Sequence, residues 1–85
     1  MNDATHPEPV KNLRGTVTRG DYAKGSKSER VAVFLVTTEG RFLLRRKNGP
    51  AFADGRLERY VGHTVACDGF LVGTTVVAVH ISIEA

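Results

Sequence analysis

Gly62-His63-Thr64-Val65-Ala66-Cys67-Asp68-Gly69, followed a few residues later by Thr75-Val76-Val77-Ala78-Val79-His80-Ile81-Ser82-Ile83, is the stretch whose reading decides the fold. The second segment alternates apolar with small or polar residues at a period of two, the period of a half-buried strand. The first starts at a glycine, sets Val65 and Cys67 on one face and ends on a glycine. Two short strands joined by a tight connection, in a small basic chain, predict a miniature β-barrel.

Upstream, the pattern extends to three more strands. Leu13 to Arg19 alternates, with Leu13, Gly15 and Val17 on one face, and Gly15 reads as a bend or a point of close approach. Gly20 to Glu29 is a loop rich in Gly, Ser and Lys. Arg30 to Thr38 is a continuous apolar run with β-branched residues, as in a strand buried on both faces. Period alone also allows a helical segment there, but its length and the turn at Glu39-Gly40 favour a strand. Gly40 supplies the positive φ of a tight hairpin, and Arg41 to Lys47 returns as the partner. Asn48-Gly49-Pro50 ends that strand. Between Ala51 and Tyr60 there is room for a single helical turn, capped at its start by Asp54.

The expected fold is therefore all-β: a small, five-stranded, partly open Greek-key barrel with a helical turn between the third and fourth strands. Its expected core is Leu13, Val17, Val31, Val33, Leu35, Phe42, Leu44, Val65, Cys67, Val77, Val79, Ile81 and Ile83. Residues 1–11 are polar, carry two prolines and read as a disordered tail; residues 12–85 form the one domain.

The chain has 85 residues, 41% of them hydrophobic, which suits one domain near the lower size limit for independent folding. A single cysteine, Cys67, leaves no internal disulfide and points to a reducing compartment, the cytoplasm. No apolar stretch approaches the ~20 residues of a membrane helix. The net charge is +3, unevenly spread. Nine Lys or Arg face three acids between Arg14 and Lys47, a balance of +6, whereas the remainder carries −3. Such asymmetry marks an anion-facing side or ordinary solubilising charge.

The strand order, together with Gly62, Val65, Cys67 and Gly69 at the spacing of a fourth-strand signature, resembles the oligonucleotide/oligosaccharide-binding (OB) fold. The resemblance covers residues 13–83 and is architectural. Lys24 to Arg30, with Leu44-Arg45-Arg46-Lys47, is also similar to a small bacterial protein family, a likeness that brings no activity with it. OB-fold ligands lie across the second and third strands, between the loops joining strands one to two and four to five. On this chain the resemblance implies a surface of Lys24, Lys27 and Arg30 from the first loop and Arg41, Arg45 and Lys47 from the third strand. Phe70 to Thr74 would form the second loop.

The residues themselves support two readings at each point. Lys24-Gly25-Ser26-Lys27-Ser28-Glu29-Arg30 offers hydroxyls, backbone N–H groups and three cations to a phosphate, or it is a solvated turn. Arg41, Leu43, Arg45 and Lys47 share a strand face, a cationic stripe suited to a phosphate backbone or a guard against edge-to-edge pairing. Arg46 has the opposite parity and reaches past the barrel rim. Aromatics for base stacking are few: Tyr22, Phe34, Phe42, Phe52, Tyr60 and Phe70. Phe34, with Ala32 and Val36, points outward and is a candidate for stacking or for an interface. No Cys-x-x-Cys exists, His63 and Cys67 share parity without further ligands, and His80 lies on the opposite parity, so no metal or other cofactor is expected. Ser26 and Ser28 lack a base, and Asp54 and Glu58 lack an apolar pocket; no enzyme is expected. The expectation is a non-catalytic module for a polyanion such as single-stranded nucleic acid. The alternative is a protein-interaction or homodimerising module built on Ala32, Phe34 and Val36, with Ala78 and His80.

Overall fold

The computed structural model describes residues 7–22, 25, 27, 30–50 and 54–84. Its elements are β1 (Glu8–Tyr22), β2 (Arg30–Thr37), β3 (Gly40–Arg46), a one-turn helix α1 (Gly55–Glu58), β4 (Thr64–Val72) and β5 (Thr75–Ile83). The strands close into a barrel in the order β1-β2-β3-β5-β4, with β4 returning to β1. All neighbours are antiparallel except β3 and β5, which run parallel from Leu43↔Thr75 to Arg46↔Ala78. The all-β, five-stranded expectation holds, including the helical turn between β3 and β4.

Closure rests on the length of β1. Its second half, Thr16 to Tyr22, pairs with β2, and its first half, Glu8 to Thr16, pairs with β4. A bulge at Asn12 (φ 52) bends the strand between the two, and the Asn12 backbone N–H donates to Asp68 Oδ1 at 2.7 Å. Asparagine is among the few residues that adopt this left-handed conformation readily. β1 thus begins inside the stretch read from sequence as a tail. Pro9 is accommodated because this half of β1 has β4 on one edge only, which is where a strand tolerates proline. Residues 1–6 lie outside the described residues.

Between β2 and β3 the turn residue Gly40 has φ 133, the positive value expected of it. Gly15 is also a close-approach point: a Cβ there would lie 2.5 Å from the Val36 carbonyl oxygen. The core joins Val17, Val33, Leu35, Leu44, Val65, Cys67, Val76 and Ala78, with Leu57 of α1 seated against them. Leu13, Phe42 and Ile81 pack on its margin. Asp54 caps α1, its side chain accepting from the Arg56 backbone N–H at 3.0 Å. Glu58 is held by Arg19 of β1, whose Nε donates to Oε1 at 3.1 Å.

Four expected core residues fall elsewhere. On β5 the pairing jumps from Asp68↔His80 to Gly69↔Ala78, so Val79 is an extra residue on that strand. The bulge reverses the inward parity on either side of it: Val76 and Ala78 point in, Val77 turns to the outer side, and Val79 is 58% exposed. Gly69 makes this possible, since a Cβ there would overlap the Val77 carbonyl oxygen. Val31 is 59% exposed because β2 has no β3 beside it before Phe34. Ile83 is 51% exposed because β5 has no β3 beside it beyond Ala78.

Candidate functional site

The cations of β3 stand on the outer surface of the barrel. Phe42 and Leu44 pack on the core, which sends Arg41, Leu43, Arg45 and Lys47 to the opposite side. Register then decides their neighbours. Arg41 lies opposite Val36 on β2, one step diagonal from Phe34, and its guanidinium carbon is 3.9 Å from the Phe34 ring centroid. Gly20 of β1 leaves the trough they share: a Cβ there would lie 3.3 Å from Arg41 Nη1 and 3.6 Å from Phe34 Cε1. Phe34 does have outward parity, but it is only 4% exposed. The expectation of an open stacking platform at Phe34 is therefore corrected: a charged side chain from the next strand lies over the ring.

Beyond the Phe34↔Leu43 pair, β2 and β3 part. Arg45 sits where they separate. A depression of about 220 Å³ on the outer face brings it together with Arg30, Leu43, Val72, Thr75 and Val77. Arg30 pairs directly across β1/β2 with Tyr22, its guanidinium carbon 4.6 Å from the ring centroid. Lys47 adjoins the same patch from the other side, along an apolar cleft of about 260 Å³ with Pro7, Phe70, Val72 and Val77. Lys27 is exposed in the β1–β2 connection. Lys24, Ser26, Ser28 and Glu29 lie outside the described residues.

Among the described residues the ion pairs are Arg14–Glu84, Arg19–Glu58 and Arg46–Asp54. None of them uses Arg41, Arg45 or Lys47. The Nε of Arg45 is buried and makes no hydrogen bond, a costly state for a charged donor unless an acceptor arrives.

Sequence reasoning missed Tyr22 and Val77 as neighbours of the cations, whereas the OB resemblance puts Phe70 and Val72 on the same surface, as part of a loop. In place of the expected loop from Phe70 to Thr74, β4 runs through Val72 and the turn is only Gly73-Thr74. The strand fixes Phe70 and Val72 opposite Val77 and Thr75 on one outer face. The register, rather than a loop, is what sets them beside Lys47. No family model, curated protein or solved structure matches this chain.

The apolar patch expected for self-pairing is much reduced. Phe34 and Ala78 are buried and Ala32 is half-buried, leaving Val36 and His80 exposed. Cys67 is fully buried, and burial, reinforced by the Asp68 carboxylate, pushes its thiol up to about 11. It therefore stays protonated at neutral pH and is a poor ligand or nucleophile. Among the described residues no helix is long and apolar enough to cross a membrane.

Proposed function

We propose that this chain is a non-catalytic, cytoplasmic binding module of OB type that holds a polyanion, single-stranded nucleic acid first, on the outer face of β2 and β3. Arg30, Arg41, Arg45 and Lys47 make the phosphate contacts, joined by Lys27 of the β1–β2 connection, with Lys24 a further contact expected from the sequence alone. The observation that carries the reading is Arg45: an unpaired guanidinium with a buried, unbonded Nε, flanked by Arg30 and by the apolar residues Val72 and Val77. A phosphate oxygen satisfies that donor, and sugar or base edges cover the apolar floor. With Phe34 buried under Arg41, Tyr22 and Phe70 are the accessible aromatic surfaces beside these cations, so stacking is sparse and sequence preference low.

Fluorescence anisotropy with a labelled oligothymidylate, repeated across a salt series, tests this. Affinity falls steeply with salt, and Arg45→Ala or Lys47→Ala each flattens the log–log slope by about 1. Absence of binding at low salt, or a slope indifferent to both substitutions, overturns the proposal. A dimer by size measurement together with absent binding instead favours a protein-interaction module.

A further inference from the structure

A second cationic site lies around the barrel end from that face. β3 leaves β5 after the Arg46↔Ala78 pair, and α1 with the turn behind it folds across the gap. The space between them is a cavity of about 270 Å³, walled by Arg46 and Lys47 from the end of β3, Arg56 and Arg59 from α1 and its C-cap, Tyr60, and His80 of β5. We infer that this cavity is a binding site for a phosphate monoester, the end group of a nucleic-acid strand or of a mononucleotide.

Several observations converge on that chemistry. Arg46 is immobilised, its Nε and Nη2 donating to the two Asp54 oxygens at 2.8 and 3.2 Å. Its charge is thereby spent on Asp54. Lys47, Arg56 and Arg59 take part in no ion pair among the described residues, so the cavity holds an excess of positive charge. Of the nearby carboxylates, Glu58 is paired with Arg19; Asp68, opposite His80 across β4/β5, accepts from the Asn12 N–H and keeps its charge, one acid against the three unpaired cations. Such an excess matches a phosphate monoester, with its charge of about −1.5 to −2 at neutral pH, better than a singly charged diester or carboxylate. The cations also approach from separate elements around one cavity instead of being spaced along one strand. That arrangement suits an end group, and each arginine fork can donate in parallel to a pair of its three terminal oxygens. Tyr60 and His80 add an aromatic wall and a ring nitrogen on the same cavity.

The site shares only Lys47 with the outer face, so its test is separable from that of the polyanion reading. The full chain is titrated at low salt with adenosine 5′-monophosphate and with adenosine, following backbone amide shifts. The monophosphate moves the amides of Arg56, Arg59, Tyr60 and His80 and adenosine does not. The double substitution Arg56→Ala/Arg59→Ala, at two exposed positions, weakens the monophosphate roughly tenfold or more, as loss of charge-assisted bonds requires. Oligothymidylates with 5′-phosphate and 5′-hydroxyl ends then separate the two sources. Tighter binding of the phosphorylated strand, lost in the double variant, assigns the site to strand ends; equal binding with the monophosphate response intact assigns it to free mononucleotides. Identical responses to monophosphate and adenosine, shifts outside the cavity, or a double variant that binds the monophosphate like the wild type overturns the inference.

Discussion

The guanidinium of Arg41 on β3 covers the ring of Phe34 on β2 at 3.9 Å, so a large aromatic with outward parity is buried without entering the core. The contact ties the candidate binding surface to stability. Arg41→Ala exposes the ring and costs about 0.5–2 kcal/mol, with a coupling of similar size in a double-mutant cycle with Phe34→Leu, read by urea denaturation. A cycle that closes to zero means the stacked geometry contributes nothing.

Asp54 governs the acid side of the stability profile. Burial alone would raise its carboxyl. Hydrogen bonds from Arg46 and from the Arg56 and Leu57 N–H groups, with the Arg46 charge, outweigh this and hold it below the ordinary range. The unfolded chain therefore takes up this proton first, near pH 4. The stabilisation is complete above that value and is lost as pH falls towards the folded one. Asp54→Asn flattens the acid limb of a denaturation midpoint plotted against pH, and Asp54→Ala costs about 1–2 kcal/mol at neutral pH by removing the helix cap.

Gly49 protects the same pair. A Cβ at this position would overlap the Asp54 carboxylate and lie 2.9 Å from Arg46 Nη2. Gly49→Ala lowers stability by about 1–3 kcal/mol through overpacking. It also reproduces the flattened acid limb of Asp54→Asn, since the displaced carboxylate loses its partner. An unchanged acid limb in Gly49→Ala shows that the loop yields and the pair survives.

On the alkaline side the sign reverses. The Cys67 thiol holds its proton to about 11 in the fold, against roughly 8.5 in an unfolded chain. Stability is complete below the unfolded value and declines as pH rises through the window up to the folded one. Ellman's reagent at pH 8 labels Cys67 only as fast as the barrel opens, and denaturant accelerates labelling. Labelling of the native protein at the rate of a free thiol contradicts the buried position.

Much of this fold is legible in the residues because it depends on local patterns. The continuous run of β2 announces burial on both faces, and Val33, Phe34 and Leu35 are buried in succession. Gly40 and Asp54 mark a turn and a cap by their own chemistry. What escapes such reading depends on partners distant in the chain. Val79 leaves the core because Gly69, ten residues earlier, lacks the Cβ that would forbid the bulge. Val76, Val77, Ala78 and Val79 are too alike in size and polarity to reveal where parity switches. Arg41 hides Phe34 only once the β2/β3 register is known. The charge window from Arg14 to Lys47 contains Arg41, Arg45 and Lys47 but assigns Arg56 and Arg59 to the acidic remainder. Only the folding of α1 across the end of β3 brings them beside Lys47.

The parallel seam between β3 and β5 has a kinetic corollary. Of the five strands, β5 is the last in sequence, and it contributes to two of the ring's joints, with β3 and with β4. Until it docks, both of those strands expose bare hydrogen-bonding edges, and sealing the seam closes the loop between Leu43 and Thr75, more than a third of the chain. Loop-closure entropy therefore has to be overcome late, and such non-local pairing slows the approach to the native state. Folding should accordingly be limited by the docking of β5, and substitutions at the seam, such as Val76→Ala, should slow refolding more than they hasten unfolding.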